Sequence, residues 1–255
     1  MLRAVNFRPF LLAAVMAAPF AASATAASNT IAVPGVADVW LAGQPNGTIL
    51  QGIYALHDVA PANSPVLAST GLNMTAGTSL TFSATGTTNY APLPGCQGST
   101  PDGGGVCGNF TTLSYFGIST YAGPINALIG VFVNSSVPGG TAPAGLNFTT
   151  AGATSQSTYS PLLNQVFFIG DGLTGTGSGT VQQFVIPAGA TRLYLGSADG
   201  AGANYDNSGS FSVTVTDSNG AVPTTPAPST SVLMLTGLVA LAAAYFVGMR
   251  FRRLA

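Results

Sequence analysis

The sequence predicts an all-β domain, a β-sandwich, set between two apolar terminal segments. Three observations predict it. Short runs of period-2 alternation recur, as in Ser210-Phe-Ser-Val-Thr-Val-Thr216, where Phe211, Val213 and Val215 alternate with hydroxyl residues. Gly, Pro, Asn and Ser turn signals separate these runs, and no segment of the body carries a 3.6-residue apolar period. Once the terminal segments are set aside, about 200 residues remain, enough for one domain with a sizeable core.

Residues 1–26 read as a cleavable secretory signal peptide. Arg3 and Arg8 precede an apolar run from Phe10 to Phe20, and the small-x-small triplets Ala22-Ser-Ala24 and Ala24-Thr-Ala26 offer cleavage after Ala24 or Ala26. The domain then spans residues 27–218. Val36-Ala-Asp-Val-Trp-Leu-Ala42 is expected as its first strand, followed by a turn at Gln44-Pro-Asn-Gly47 and a loop at Pro61–Pro65. Thr78–Ala84 alternates as a strand and runs into Gly86-Thr-Thr-Asn-Tyr90. Ala91–Gly108 is a long Pro/Gly loop holding Cys96 and Cys107, the only cysteines; in an exported chain they predict one local disulfide. Ala127–Val133 is an apolar run expected as a central strand, Val137–Pro161 is loop-rich, and Asn164–Ile169, Thr180–Ile186 and Thr191–Gly196 are further strands.

Residues 219–230 form a linker with prolines at 223, 226 and 228, which favour extended polyproline-like backbone. Ser231–Met249 is uncharged and as a helix reaches about 28 Å, close to a hydrocarbon core, so it is expected to span a membrane. Arg250, Arg252 and Arg253 in the tail 250–255 place that end on the cytoplasmic side and the domain outside.

Charge narrows the function classes. The chain has no Lys and no Glu; its seven acids are all Asp, and between residues 27 and 230 Arg192 is the only base. Such a surface offers nothing to phosphate, so nucleic-acid binding is disfavoured and no nucleic-acid partner is expected. His57-Asp58 places the only His beside a carboxylate, but no Gly-x-Ser-x-Gly elbow accompanies it, so a loop histidine is preferred to a hydrolase triad and no enzyme is expected. Gly175-Thr-Gly-Ser-Gly179 lacks the Lys of a phosphate-binding loop and reads as a turn, as does Asp171 in Ile169-Gly-Asp-Gly172.

The stretch Asp199-Gly-Ala-Gly-Ala-Asn-Tyr-Asp206-Asn207 is different. Two carboxylates and an amide on a Gly-rich loop are what Ca²⁺ can use, since it takes about 6–8 oxygens from side chains and bent backbone. The same residues also make ordinary turns.

Two resemblances sharpen this choice. Phe184-Val-Ile-Pro-Ala-Gly-Ala-Thr-Arg-Leu-Tyr-Leu-Gly-Ser-Ala-Asp199 with Asn207-Ser-Gly-Ser-Phe-Ser-Val213, and a second block, Gly77-Thr-Ser-Leu-Thr-Phe-Ser-Ala-Thr-Gly-Thr-Thr-Asn-Tyr90, are similar to the small PA-IL-like galactophilic lectins. Val39–Gly47 matches the family's first strand less closely. The resemblance covers the core strands of residues 36–216 and implies a jelly-roll-type sandwich. It also implies Ca²⁺ held by side-chain oxygens of Asp199, Asp206 and Asn207 and by the carbonyls of Tyr90 and Ala203, with two sugar hydroxyls completing the shell. Asp206 stands where the family has Asn. The family's sugar-contacting His and Gln fall near Thr100 and Gly103, which do not reproduce them; Asp102 between them could still reach a hydroxyl.

The Pro-rich linker, apolar helix and Arg cluster resemble a PEP-CTERM sorting signal, which a membrane exosortase recognises and processes in Gram-negative producers of exopolysaccharide. Here the motif is Pro226-Ala227-Pro228, with Ala in place of Glu. Together the resemblances imply an exported protein, membrane-anchored at least transiently and then at the cell surface or in the extracellular matrix. Its implied ligands are Ca²⁺ and a carbohydrate, an exopolysaccharide or surface glycan. The alternative is a structural matrix or adhesive protein without sugar binding.

Overall fold

A computed structural model describes residues 26–52, 57–90 and 96–218. The expected signal peptide up to residue 25, the expected linker, the apolar segment 231–249, the basic tail and the Pro226-Ala227-Pro228 motif lie outside the described residues. Among those described, no helix is long and apolar enough to cross a membrane.

The described chain is all-β and sandwich-like. Its strands are β1 (Ser28–Pro34), β2 (Ile49–Gln51), β3 (His57–Val59), β4 (Val66–Leu67), β5 (Ser79–Asn89), β6 (Asn109–Thr111), β7 (Tyr121–Pro124) and β8 (Leu128–Val133). They continue with β9 (Leu146–Asn147), β10 (Thr158–Tyr159), β11 (Val166–Phe168), β12 (Leu173–Gly175), β13 (Ser178–Val181), β14 (Gln183–Val185), β15 (Arg192–Ser197) and β16 (Ser208–Asp217). One sheet has the order β1-β16-β5-β14-β10, the other β11-β8-β15-β4.

Alternation gives the first sheet its inward face. Leu80 and Phe82 of β5 and Phe211, Val213 and Val215 of β16 are buried, while hydroxyl residues between them face outward. The two faces meet through aromatic rings. Phe184 of β14 packs against Phe82 at 4.9 Å edge-to-face within its own sheet, and against Phe167 of β11 at 5.6 Å across the sandwich. Every residue of β8 is buried, as its uninterrupted apolar sequence requires; it lies between β11 and β15.

The structure corrects three expectations. Val36–Ala42 is no strand: Val39–Leu41 is a 3₁₀ turn, because the Asp38 carboxylate accepts the Trp40 N–H at 2.8 Å and caps it. Its apolar residues are buried by packing beneath the second sheet, and the first strand is instead Ser28–Pro34, which pairs with β16 from Ser28↔Thr216 to Pro34↔Ser210. The match of Val39–Gly47 to a first strand falls with it. Thr180–Ile186 divides into β13 and β14, because Gln182 turns inward, fully buried, and donates to the carbonyls of Thr154 and Gln156 at 2.9 Å. The strand at Thr78–Ala84 continues to Asn89, carried by its register along the whole of β16.

Cys96 and Cys107 are disulfide-bonded, with Cα atoms 5.3 Å apart, and close the Gly-rich loop that precedes β6. Asp171 ties the β12–β13 hairpin: its carboxylate accepts from Leu173 N at 2.8 Å and Gly177 N at 2.6 Å.

Candidate functional site

The loop from Asp199 to Asn207 joins β15 to β16 and so connects one sheet to the other. It contains a 3₁₀ turn at Asn204–Asp206. What holds this polar segment in place is a set of buried polar groups rather than apolar packing.

Asn204 is fully buried, and its Nδ2 donates to Ser197 O at 2.9 Å, Gly35 O at 3.3 Å and Ala37 O at 3.4 Å. Two buried carboxylates take the loop's own backbone donors: Asp38 accepts from Gly202 N at 3.0 Å, and Asp58 from Asn204 N at 2.9 Å. The Asp38 and Asp58 carboxyls lie beside each other. Burial pushes the Asp38 carboxyl well above its ordinary range, with Asp58 beside it adding to the shift; burial likewise raises Asp58. Asp58 Oδ1 has no hydrogen-bond partner, and Arg192 is the only Arg or Lys among the described residues. Arg192 is committed elsewhere, donating to the carbonyl oxygens of Asn134 and Ser136, each at 2.6 Å.

The sequence reading of this region missed Asp38, and it considered Asp58 only as a partner for His57. The signal was present: an acid inside the apolar run Val36–Ala42 has no base to answer it. His57 and Asp58 sit consecutively on β3 and so point to opposite faces; His57 is exposed and Asp58 fully buried, so the two do not form a catalytic pair.

Asp199 is 1% exposed. Its Oδ1 accepts from Gly200 N at 2.5 Å and its Oδ2 from Asn207 Nδ2 at 2.8 Å. Burial raises its pKa to about 7; the Asn207 and Gly200 hydrogen bonds oppose the rise, and the charges of Asp206 and Asp58 add to it. Asn207 is also buried, whereas Asp206 is exposed at the end of the 3₁₀ turn.

Three of the five expected metal-binding positions line one cleft of about 390 Å³: Asp199, Ala203 and Tyr90, the last carried there by the end of β5. Asn207 joins them through its bond to Asp199. The Tyr90 carbonyl accepts from Gln97 Nε2 at 3.1 Å. Phe110, Leu113, Tyr115 and Ile125 make the rest of this cleft largely apolar, with Thr111 at its edge. Among the described residues, no group of three or more His, Cys, Asp or Glu is arranged to hold a metal.

The expected sugar contacts lie elsewhere. Asp102 and Gly103 line a second cleft of about 320 Å³, between the disulfide-closed loop and the β12–β13 hairpin, with Thr154, Thr174 and Thr176. Asp102 Oδ1 accepts from Asp171 N at 3.1 Å, and burial raises its pKa. Thr100 is exposed and begins a tight turn closed by Gly103 N donating to Thr100 O at 2.8 Å. Gly103 has φ 60° and packs against the backbone of Ile125 and Ala127, where no Cβ fits, so that position is set by the turn. Comparison with known proteins found no match: no family model, no curated protein and no solved structure is similar to this chain.

Proposed function

We propose that the chain is an exported, surface-associated protein of jelly-roll type that binds Ca²⁺ at the Asp199–Asn207 loop and, beside the ion, carbohydrate. The observation that carries this reading is the convergence of Asp199, Ala203 and Tyr90 on one cleft, from two segments more than a hundred residues apart in sequence. The donor chemistry fits a hard cation. Asp199 contributes a buried carboxylate whose donors, Gly200 N and Asn207 Nδ2, are both neutral; the amide oxygen of Asn207, the carbonyls of Ala203 and Tyr90 and the exposed Asp206 would supply further oxygens. A bound Ca²⁺ would stabilise the ionised form of Asp199 and offer open coordination positions to vicinal hydroxyls. Phe110 and Tyr115 also line the cleft, and aromatic side chains suit the C–H side of a sugar ring.

The test is calorimetric titration of the exported protein with Ca²⁺, repeated on Asp199→Ala. Heat of binding in the parent and its loss in the variant are expected; equal heats would remove the metal assignment. A glycan array run with and without EDTA then tests the sugar half. A second reading, a matrix or adhesive protein that keeps Ca²⁺ but not sugar, is favoured by one observation: Asp102 and Gly103 face a cleft other than the one Asp199 lines. Ca²⁺ binding without any glycan signal would select it. The apolar segment 231–249 and the Pro226-Ala227-Pro228 motif support membrane anchoring and exosortase-type processing, and a mature protein still carrying Arg253 would count against processing.

A further inference from the structure

We infer that export processing cuts the chain between Ala26 and Ala27, and that the α-ammonium group created there pairs with the buried carboxylate of Asp217. This inference is independent of the calcium reading.

Asp217 ends β16 and is 2% exposed. Its Oδ1 accepts from Ala27 N at 3.3 Å and its Oδ2 from Asn73 N at 2.8 Å. The contact is reciprocal, since Asp217 N donates to Ala27 O at 3.0 Å, and β1 begins at the next residue, Ser28. In the uncut chain both donors to this carboxylate are neutral peptide N–H groups. Arg192, the one Arg or Lys among the described residues, is held by the carbonyls of Asn134 and Ser136. A buried carboxylate left without a counter-charge is costly to fold around.

Hydrolysis after Ala26 supplies the missing charge at the atom that already touches Asp217. Water adds to the Ala26 carbonyl carbon and the C–N bond breaks. Ala26 leaves as a carboxylate, and the Ala27 nitrogen takes up the protons to become –NH₃⁺, stronger as a donor than the amide it replaces. Hydrolysis after Ala24 would leave that nitrogen a neutral amide, with Thr25 and Ala26 extending beyond it. The sequence presents two small-x-small sites of equal quality; the position of Asp217 distinguishes them. The resulting ion pair would fasten the start of the mature chain to the strand end from which it departs toward residues 219–230.

The chain contains no lysine, so the α-amine is its only primary amine and amine chemistry reports on one site. The full chain is exported from a bacterial host, and the purified protein is analysed by mass spectrometry of its N-terminal peptide. The expected first residue is Ala27; Thr25, any other first residue, or an uncut chain overturns the cleavage assignment. The same protein is then treated with a succinimidyl ester near neutral pH. An amine pKa raised by one unit lowers the free-amine fraction about tenfold, so labelling of the folded protein is expected to be about tenfold slower than in urea. Asp217→Asn is expected to restore most of that rate. Equal rates for folded and unfolded parent protein overturn the ion pair, and this comparison decides even where the variant fails to fold.

Discussion

The side-chain amide of Asn207 donates to Asp199 Oδ2 at 2.8 Å, with both residues buried, closing the loop that passes from one sheet to the other. This bond, with a second from the same Nδ2 to Gly35 O at 3.4 Å, fixes the orientation of the amide. An Asn207→Ala variant should therefore lose a Ca²⁺ ligand and one hydrogen bond that holds Asp199 ionised. Ca²⁺ affinity, read by calorimetry, should fall at least about tenfold, the equivalent of about 1.4 kcal/mol. An unchanged affinity would remove Asn207 from the ligand set.

On the proposed reading, proton and Ca²⁺ would compete for Asp199. Its folded pKa is raised to about 7 from an ordinary value of 3.8, so the folded state keeps a proton that the unfolded chain releases. The stability this contributes is complete below the ordinary value and is lost as pH rises through about 7. The raised carboxyls of Asp38 and Asp58 act in the same direction. Without metal, the melting temperature should accordingly fall between about pH 4 and pH 7. Ca²⁺ affinity should move the opposite way, weakening by up to about tenfold per pH unit below 7, because only the ionised carboxylate binds the ion. Melting curves with Ca²⁺ and with EDTA across pH 5 to 8 check both signs, and a flat apo profile would contradict the first.

Asn204 holds three carbonyl groups of other segments under the loop. Asn204→Ala leaves those buried acceptors without that donor and should cost about 1–3 kcal/mol in chemical unfolding. The loop should loosen before the sandwich does, so Ca²⁺ binding is expected to weaken along with stability. A variant as stable as the parent would show that the loop is held chiefly by the Asp38 and Asp58 bonds.

The Cys96–Cys107 disulfide closes a short loop with a sequence separation of 11. Replacing both cysteines by Ser should destabilise the domain by about 3 kcal/mol or less, the chain-entropy scale for a loop of that size. The second cleft should suffer most, because Gly103, Gly104 and Gly105 reach it from that loop. Hydrogen exchange at Gly103 and Gly104, whose amides donate to Thr100 O and Ile125 O at 2.8 Å, should accelerate more than exchange in β5 or β16.

Much of the sandwich could be read locally. Alternation in Ser210–Thr216 and the unbroken apolar run at Leu128–Val133 identify strands wherever one or both faces are buried, because a strand's burial pattern is written directly into its residues. The pairing of Cys96 with Cys107 was equally legible, there being no other partner. Val36–Ala42 misled for a physical reason: its apolar residues are buried by tertiary packing, while the Asp38 side chain captures the Trp40 N–H and bends the backbone into a turn.

The oxygen-rich character of Asp199–Asn207 and the scarcity of cations between residues 27 and 230 are properties of composition, so the sequence by itself determined that this segment carries seven Asp against a single Arg and no Lys. Which of those acids are buried was decided only by tertiary structure. Asp38, Asp58, Asp199 and Asp217 are buried and Asp206 is not, although all five are the same residue type. Likewise only the fold brings Tyr90 and Ala203 to the cleft of Asp199, sends Asp102 to another, and sets Ala27 against Asp217. Burial, and with it pKa and counter-charge, depends on contacts between segments far apart in sequence, and no local pattern records those contacts.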